Sequence, residues 1–422
     1  MNEAHTGKLQ RNGRLGRPRL NKRWGPVAAL MGTLLAVSAC SSGSTPASQS
    51  GGGAPIKIAY LGNQSGSLGS TFAPAATAVK AFVSYENARG GLSGHKLSLQ
   101  IYDDQSNPST VLSNARLAVE QGADVIVAFD AFFDTAVPFL QQKKMPVFGV
   151  GITPGFFGAA KTNFFSPYGN LIGYETTAGM KWLVDQGKKK IAVVSDTVPG
   201  NLNAAHAVAK AVTNVGGSLV YTNFSVDDTN TASLLAVAQR AHSAGATALY
   251  ANLYGTAPAE LQADLNQIGA HADVLNGTLG FTPAIAQQFG SAAQGLLSEV
   301  FSATWLSSTI PGVKTYLAAM RKYAPANVEN SQALNAWTAM LVLAGAVAKL
   351  GNSAPTKQNL INAGNALKNY TGDGMLQPVT FPAMHTTLAP CLAIGQLTGG
   401  QWKVVTGSAD NPFVCGAGVP AS

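Results

Sequence analysis

The chain has 422 residues, 46% of them hydrophobic and 11% charged. That is room for two or three domains of about 100–200 residues, and a composition too apolar for a disordered chain. The formal charge of +8 is concentrated: Lys8, Arg11, Arg14, Arg17, Arg19, Lys22 and Arg23 precede residue 40 against the single acid Glu3, leaving +2 for the rest. A nearly neutral body argues against a nucleic-acid partner.

The basic stretch runs into an apolar segment, residues 25–37. Thirteen residues are too few to span a bilayer, which needs about twenty, but they suit the core of a signal peptide. The tetrad Val37-Ser38-Ala39-Cys40 that follows resembles a bacterial lipobox, in which the cysteine is lipidated and becomes the new N-terminus. Residues 1–39 are therefore expected to be a signal peptide, Cys40 the lipidation site, and residues 40–54 a Ser/Gly-rich tether with a reach of about 20 Å. The expected location is outside the cytoplasm, anchored to the cell membrane by the N-terminal lipid. With Cys40 lipidated, Cys391 and Cys415 remain as an even pair in an oxidising compartment and are expected to form a disulfide. The histidines are scattered, so no metal site is expected.

From residue 56 strand and helix signals alternate. Residues 56–61 read as a strand, and Phe72, Ala76, Val79 and Phe82 recur at helical spacing. Residues 97–102 alternate like a strand, Asp103-Asp104 ends it, and Asn107-Pro108 is a cap and first turn for the next helix. Strands follow at 124–129 and 146–150. The same syntax restarts at Lys190: strands at 191–195, 219–224, 247–252 and 272–276, helices through Ala205 to Val215 and over 231–244, with Asp227-Asp228 after the second strand. Corresponding strands are offset by 122–134 positions, which marks a repeated lobe. Alternating β and α elements imply an α/β protein of two lobes, each a parallel sheet flanked by helices, with a ligand cleft between them. Helices are expected at 311–323 and 334–350, the second a core helix interrupted by Asn335, Thr338 and Lys349.

No Gly-x-Ser-x-Gly elbow, Walker loop or His-Glu-x-x-His occurs. Gly149-Val150-Gly151 starts like a dinucleotide loop but has Pro154 where the third glycine belongs, so a turn is the better reading. Asp103 and Asp104, as strand-end neighbours, point to opposite sides and suit turn duties better than paired acid and base work. No enzyme activity and no cofactor are expected.

In order along the first lobe, Ile56-Lys57-Ile58-Ala59, Ser65-Gly66, the run from Glu86 through Gly90-Gly91-Leu92-Ser93-Gly94 to Leu97, Tyr102-Asp103-Asp104 and Asn107-Pro108 resemble Leu/Ile/Val-type periplasmic binding proteins. The resemblance covers about residues 55–350, more loosely in the second lobe. It implies a type 1 periplasmic-binding-protein fold, a small-molecule ligand gripped between lobes, and delivery to the permease and ATPase subunits of an ABC importer. The implied division is 55–166 plus about 303–370 for lobe 1 and about 167–302 plus about 371–422 for lobe 2.

Family ligand positions fall on Ser65, Gly66 and the stretch to Thr71, on Asp130, Ala131 and Phe132, and on Thr153. In the second lobe they fall on Pro199, where the family has a tyrosine, on Tyr254, and near Leu279 and Phe281. Ala131 stands where the family offers a serine hydroxyl to a ligand carboxylate, and Leu279 where amino-acid binders hold the ammonium with an acid. Unpaired buried charges cost several kcal/mol, so the resemblance with these departures points away from a free branched-chain amino acid. Phe132, Phe133, Leu279 and Phe281 point to a greasier cleft with Asp130 as its one charge. The expected function is a solute-binding lipoprotein working by clamshell closure. A ligand-sensing module for a membrane signalling partner is a second reading, and an exported enzyme using Asp130 or Asp103 a third.

Overall fold

The computed structural model describes residues 53–277 and 282–421. The expected signal peptide, Cys40 and the start of the tether, and the cleft positions Leu279 and Phe281, lie outside the described residues.

Strand β1 (Ile56–Gly62) is buried at six of its seven positions, a near-continuous apolar run of the kind a parallel strand needs when helices cover both faces. It is followed by α1 (Gly69–Ala88), β2 (Leu97–Asp103), α2 (Pro108–Glu120), β3 (Val125–Phe129), α3 (Val137–Gln142), β4 (Val147–Gly149) and β5 (Phe164–Phe165). These strands form one parallel sheet in the order β2-β1-β3-β4-β5. Helix α2 starts where the sequence places it: the Asn107 side chain accepts from the Ser109 amide, and Pro108 occupies a first-turn position that needs no N–H.

The chain then gives β6 (Tyr174–Thr176), α4 (Ala178–Asp185), β7 (Lys190–Ser195), α5 (Pro199–Ala211), β8 (Ser218–Asn223), α6 (Thr231–Ser243), β9 (Ala248–Asn252), α7 (Ala257–Gln267), β10 (Asp273–Asn276), α8 (Pro283–Phe289) and β11 (Leu297–Val300). Strands β8-β7-β9-β10-β11 are parallel and repeat the order of the first sheet.

Helices α9 (Pro311–Tyr323), α10 (Ser331–Leu350) and α11 (Lys357–Asn365) follow, and α10 packs on α1, β3 and β4 of the first sheet. Trp337 is wedged between Phe82 of α1 and Tyr316 of α9, with ring centroids at 4.8 and 5.4 Å. Among the described residues α10 is the one helix long and apolar enough to cross a bilayer, but 78% of that stretch is buried inside the protein, as a core helix is.

The C-terminal strands, β12 (Cys391–Thr398), β13 (Gln401–Val404), β14 (Val414–Cys415) and β15 (Gly418–Pro420), depart from the all-parallel expectation. β12 adds antiparallel to β11, β13 hairpins onto β12, and β15 pairs with β6, so the second sheet is a parallel core with an antiparallel extension. A two-residue Gly399-Gly400 turn, both at positive φ, allows that hairpin, which a parallel crossover could not make in so few residues.

The chain passes between the sheets three times: after β5, after β11 and before β12. These segments lie side by side. Ser302 bridges Leu376, the Ala303 amide donates to the Met375 carbonyl at 2.8 Å, and Gly169 bridges Leu388.

Cys391 and Cys415 are disulfide-bonded across the antiparallel pair of β12 and β14. Gln377 reinforces this point: its Nε2 donates to the Cys391 carbonyl at 2.7 Å and its Oε1 accepts from the Cys391 amide at 2.9 Å. The bond spans 24 positions. Replacing both cysteines by alanine is expected to destabilise the fold by about 3 kcal/mol through the freed unfolded chain. Urea unfolding of the oxidised protein and the double variant measures this, and an unchanged midpoint would count against it.

Candidate functional site

Open α/β sheets bind ligands beyond the carboxy ends of their strands, where strand order reverses. The reversal lies between β1 and β3 in the first sheet and between β7 and β9 in the second.

At the first edge, Asn63 directly follows β1 and is fully buried. Its Nδ2 donates to Asp104 Oδ1 and Oδ2 at 2.7 and 2.8 Å, and its Oδ1 accepts from the Ala131 amide at 3.1 Å. One carboxamide thus ties together the loops after β1, β2 and β3. Asp103 serves the neighbouring turn, accepting from the Gln64, Ser65 and Gln105 amides and from Ser65 Oγ at 2.6 Å. Partial burial pushes its carboxyl up, but these donors win and hold it below its ordinary value. Gly66 has φ +78°, and a Cβ there would overlap the Gln105 carbonyl, so only glycine fits the turn. Ser65 and Gly66 lie in the loop after β1, with the Ser65 hydroxyl occupied, and Thr71 is exposed in the first turn of α1.

Asp130 follows β3 and is 2% exposed. Oδ1 accepts from the Phe132 amide at 2.6 Å, whereas Oδ2 has no partner among the described residues. Burial, reinforced by the neighbouring Asp104, pushes its carboxyl up to about 8. Asp130 is packed under the loop, and this burial disfavours the charge that the sequence suggests for it. Phe133 belongs to the core, against Phe156 and Phe164, while Phe132 and Ala131 are half-buried. Thr153, after β4, is 7% exposed, and its Oγ1 has no partner among the described residues.

The second edge is different: it is open. A recess of about 750 Å³ is lined by the loops after β7, β8 and β9 and by the start of α7. Asp196, directly after β7, accepts from the Val198 amide and from Asn201 Nδ2, both at 2.8 Å, and Asn252 at the end of β9 donates to the Asn201 carbonyl at 3.1 Å. Burial raises the Asp196 carboxyl and Asp228 raises it further, against the two donors. Asp228 Oδ2 accepts from the Tyr254 amide at 3.2 Å, and the Tyr254 side chain stands 53% exposed in the recess. Tyr254 thus lines the recess. Pro199 begins α5 beside the lining residue Val198.

Asp196, Asp228 and Glu260 are lining residues that the sequence reading passes over. A signal existed for Asp196: it stands one residue after the first strand of its repeat, as Asn63 does in the other.

Two variants probe the first edge. Asn63→Leu leaves the Ala131 amide without its partner and Asp104 with the Ser106 amide as its one remaining donor, and is expected to cost about 3 kcal/mol, read from urea unfolding. Asp130 binds its proton more tightly folded than unfolded, so its stabilisation is fully present below the ordinary carboxyl value of 3.8 and is lost as pH rises through about 8. Asp130→Asn is expected to flatten that decline, by up to roughly 1.4 kcal/mol per pH unit. Parallel pH profiles for variant and wild type would contradict the burial argument.

The model of the family described as periplasmic binding protein matches residues 55–401, and the chain belongs to that family. No curated protein sequence matches it. Among solved structures, a branched-chain amino acid ABC transporter protein from Thermus thermophilus with bound valine is similar, with a TM-score of 0.68 at 18% identity over 85% of this chain and 98% of that one. A solute binding protein of an ABC transporter from R. palustris in complex with benzoate gives 0.66 at 18% over 86% and 98%. A fatty acid ABC transporter substrate-binding protein from Thermomonospora curvata gives 0.66 at 18% over 83% and 91%. At these identities the likeness carries the two-lobed type 1 fold.

Proposed function

We propose that this member of the periplasmic binding protein family is an extracytoplasmic lipoprotein that captures a small ligand by clamshell closure and delivers it to the permease and ATPase of an ABC importer. The Val37-Ser38-Ala39-Cys40 tetrad supports the anchor at Cys40, and the three adjacent crossings between the sheets supply the hinge. Lobe 1 is then residues 55–166 with about 303–370, and lobe 2 about 167–302 with about 371–422. Ligand favours closure because only the closed form lets both lobes touch it.

The observation that carries the ligand argument is how few donors the first edge leaves for a carboxylate. The Ser65 hydroxyl goes to Asp103, the Ala131 amide to Asn63 and the Phe132 amide to Asp130. Tyr60 Oη, Gln64 Nε2 and Thr153 Oγ1, which have no hydrogen-bond partner among the described residues, are buried atoms. A free branched-chain amino acid would lose the hydrogen bonds its carboxylate needs, each worth about 1.5–3 kcal/mol. Calorimetric titration with leucine, isoleucine and valine is expected to show no micromolar binding, and micromolar binding of any of the three would overturn the exclusion.

A thermal-shift screen of residues 41–422 against amino acids, amides, aromatic acids, amines and polyols is expected to find the ligand, since a native-state binder at a hundred times its Kd adds about 2.7 kcal/mol. Cells lacking the protein are expected to lose uptake of that compound; unchanged uptake would overturn the importer role. For the anchor, Cys40→Ala is expected to release the protein from the membrane, and unaltered retention without a lipid mass on the wild type would rule it out.

A further inference from the structure

The recess of the second lobe has a definite chemical character. Four carboxylates line it, those of Asp196, Asp227, Asp228 and Glu260, and no Lys, Arg or His does. The two ion pairs among the described residues, Lys181–Asp185 and Lys188–Asp273, lie elsewhere, so these acids are not neutralised by the protein. Local donors use one oxygen each on three of them: Asp227 Oδ1 takes Thr229, Asp228 Oδ2 takes the Tyr254 amide, and Glu260 Oε1 takes Thr256 Oγ1. The second oxygens of Asp227 and Glu260 have no donor among the described residues, and Asp228 also lies within hydrogen-bonding reach of the Asp196 carboxyl.

An independent observation concerns the apolar part of the wall. Few large hydrophobic side chains in the described chain are exposed, and two of them, Val198 at 42% and Tyr254 at 53%, stand in this recess. Exposed aromatic and aliphatic groups beside unpaired carboxylates form a surface with an apolar part and an anionic part. A cation is attracted to both the carboxylates and the aromatic face. A bare metal ion does not suit it: no group of three or more His, Cys, Asp or Glu among the described residues is placed to hold one. The volume of about 750 Å³ falls in the range of small-molecule pockets, about 300–1,000 Å³.

We propose that the ligand captured at this recess is an organic cation, an ammonium compound with an apolar body and no carboxylate, recognised by Asp227, Asp228 and Glu260 and packed against Tyr254 and Val198. This rests on the binding-protein reading above and adds the charge of the ligand to it.

The test is calorimetry of the mature protein with 2-phenylethylammonium, butylammonium and choline, the two amines each set against the alcohol and the carboxylate of the same carbon skeleton. At least one ammonium compound is expected to bind, an amine about tenfold or more tighter than its alcohol, with the carboxylates not binding. Asp228→Asn and Glu260→Gln, which keep an acceptor for the local donors, are each expected to weaken it about tenfold. Affinity should also fall as salt is raised, a readout that needs no variant. An alcohol or carboxylate binding as tightly as its ammonium overturns the charge assignment and leaves the binding-protein reading standing. Absence of binding by every ammonium compound at millimolar concentration, or binding indifferent to both variants and to salt, overturns the assignment too. The uptake experiment judges the binding-protein reading separately.

Discussion

The buried carboxamide of Asn63 is the contact on which the first half of the cleft depends. A parallel sheet ends in loops whose polar groups must be satisfied without the ladder, and here one side chain with two donor hydrogens and an acceptor oxygen serves three loops at once. Asp104 is 1% exposed, and its oxygens are satisfied by that partner together with the Ser106 amide at 2.7 Å. The next acid along the edge, Asp130, has no such donor on its second oxygen and keeps its proton instead. Two carboxyl groups at one edge are thus accommodated differently, one by donors from Asn63 and Ser106 and one with its carboxyl pushed up by burial.

The second lobe repeats the strand order without repeating this closure. Asp196 holds the position that Asn63 holds in the first lobe, but its donors come from its own loop and α5, and the loops after β8 and β9, joined by the Tyr254 amide and Asp228, line an open recess. The same backbone plan therefore yields one edge knitted shut and one edge open. The difference traces to which side chain follows the first strand: a carboxamide can bridge donors and acceptors, whereas a carboxylate can only accept. A bonded wall in one sheet thus faces the solvent differently from a recessed wall in the other.

Much of this plan was legible in the sequence. Apolar strands spaced by helical stripes, repeated about 120–130 positions apart, gave the two parallel sheets, and Asn107-Pro108 located the start of α2. The cysteine pairing followed from parity. What the sequence did not reveal has physical reasons. β6 and β15 are three residues each, too short for a period to register. The β12–β13 hairpin did carry a signal, Gly399-Gly400 between two strand-like runs, and it lies beyond the part of the chain that the family resemblance covers. The role of the Ala131 amide depends on a partner 68 positions away, and the protonation of Asp130 depends on burial, which a residue type does not reveal.

The disulfide lies at the meeting point of three elements: the crossing segment that carries Gln377, the strand that completes the second sheet, and the tail that returns to β6. Thiols in a reducing compartment stay apart, so a chain still inside the cell has this junction held by hydrogen bonds alone. The covalent clasp closes only in an oxidising compartment. With the thiols reduced the chain is easier to unravel and thread, and with them joined it is harder to pull apart, so compartment and mechanical resistance are matched by a single pair of sulfur atoms.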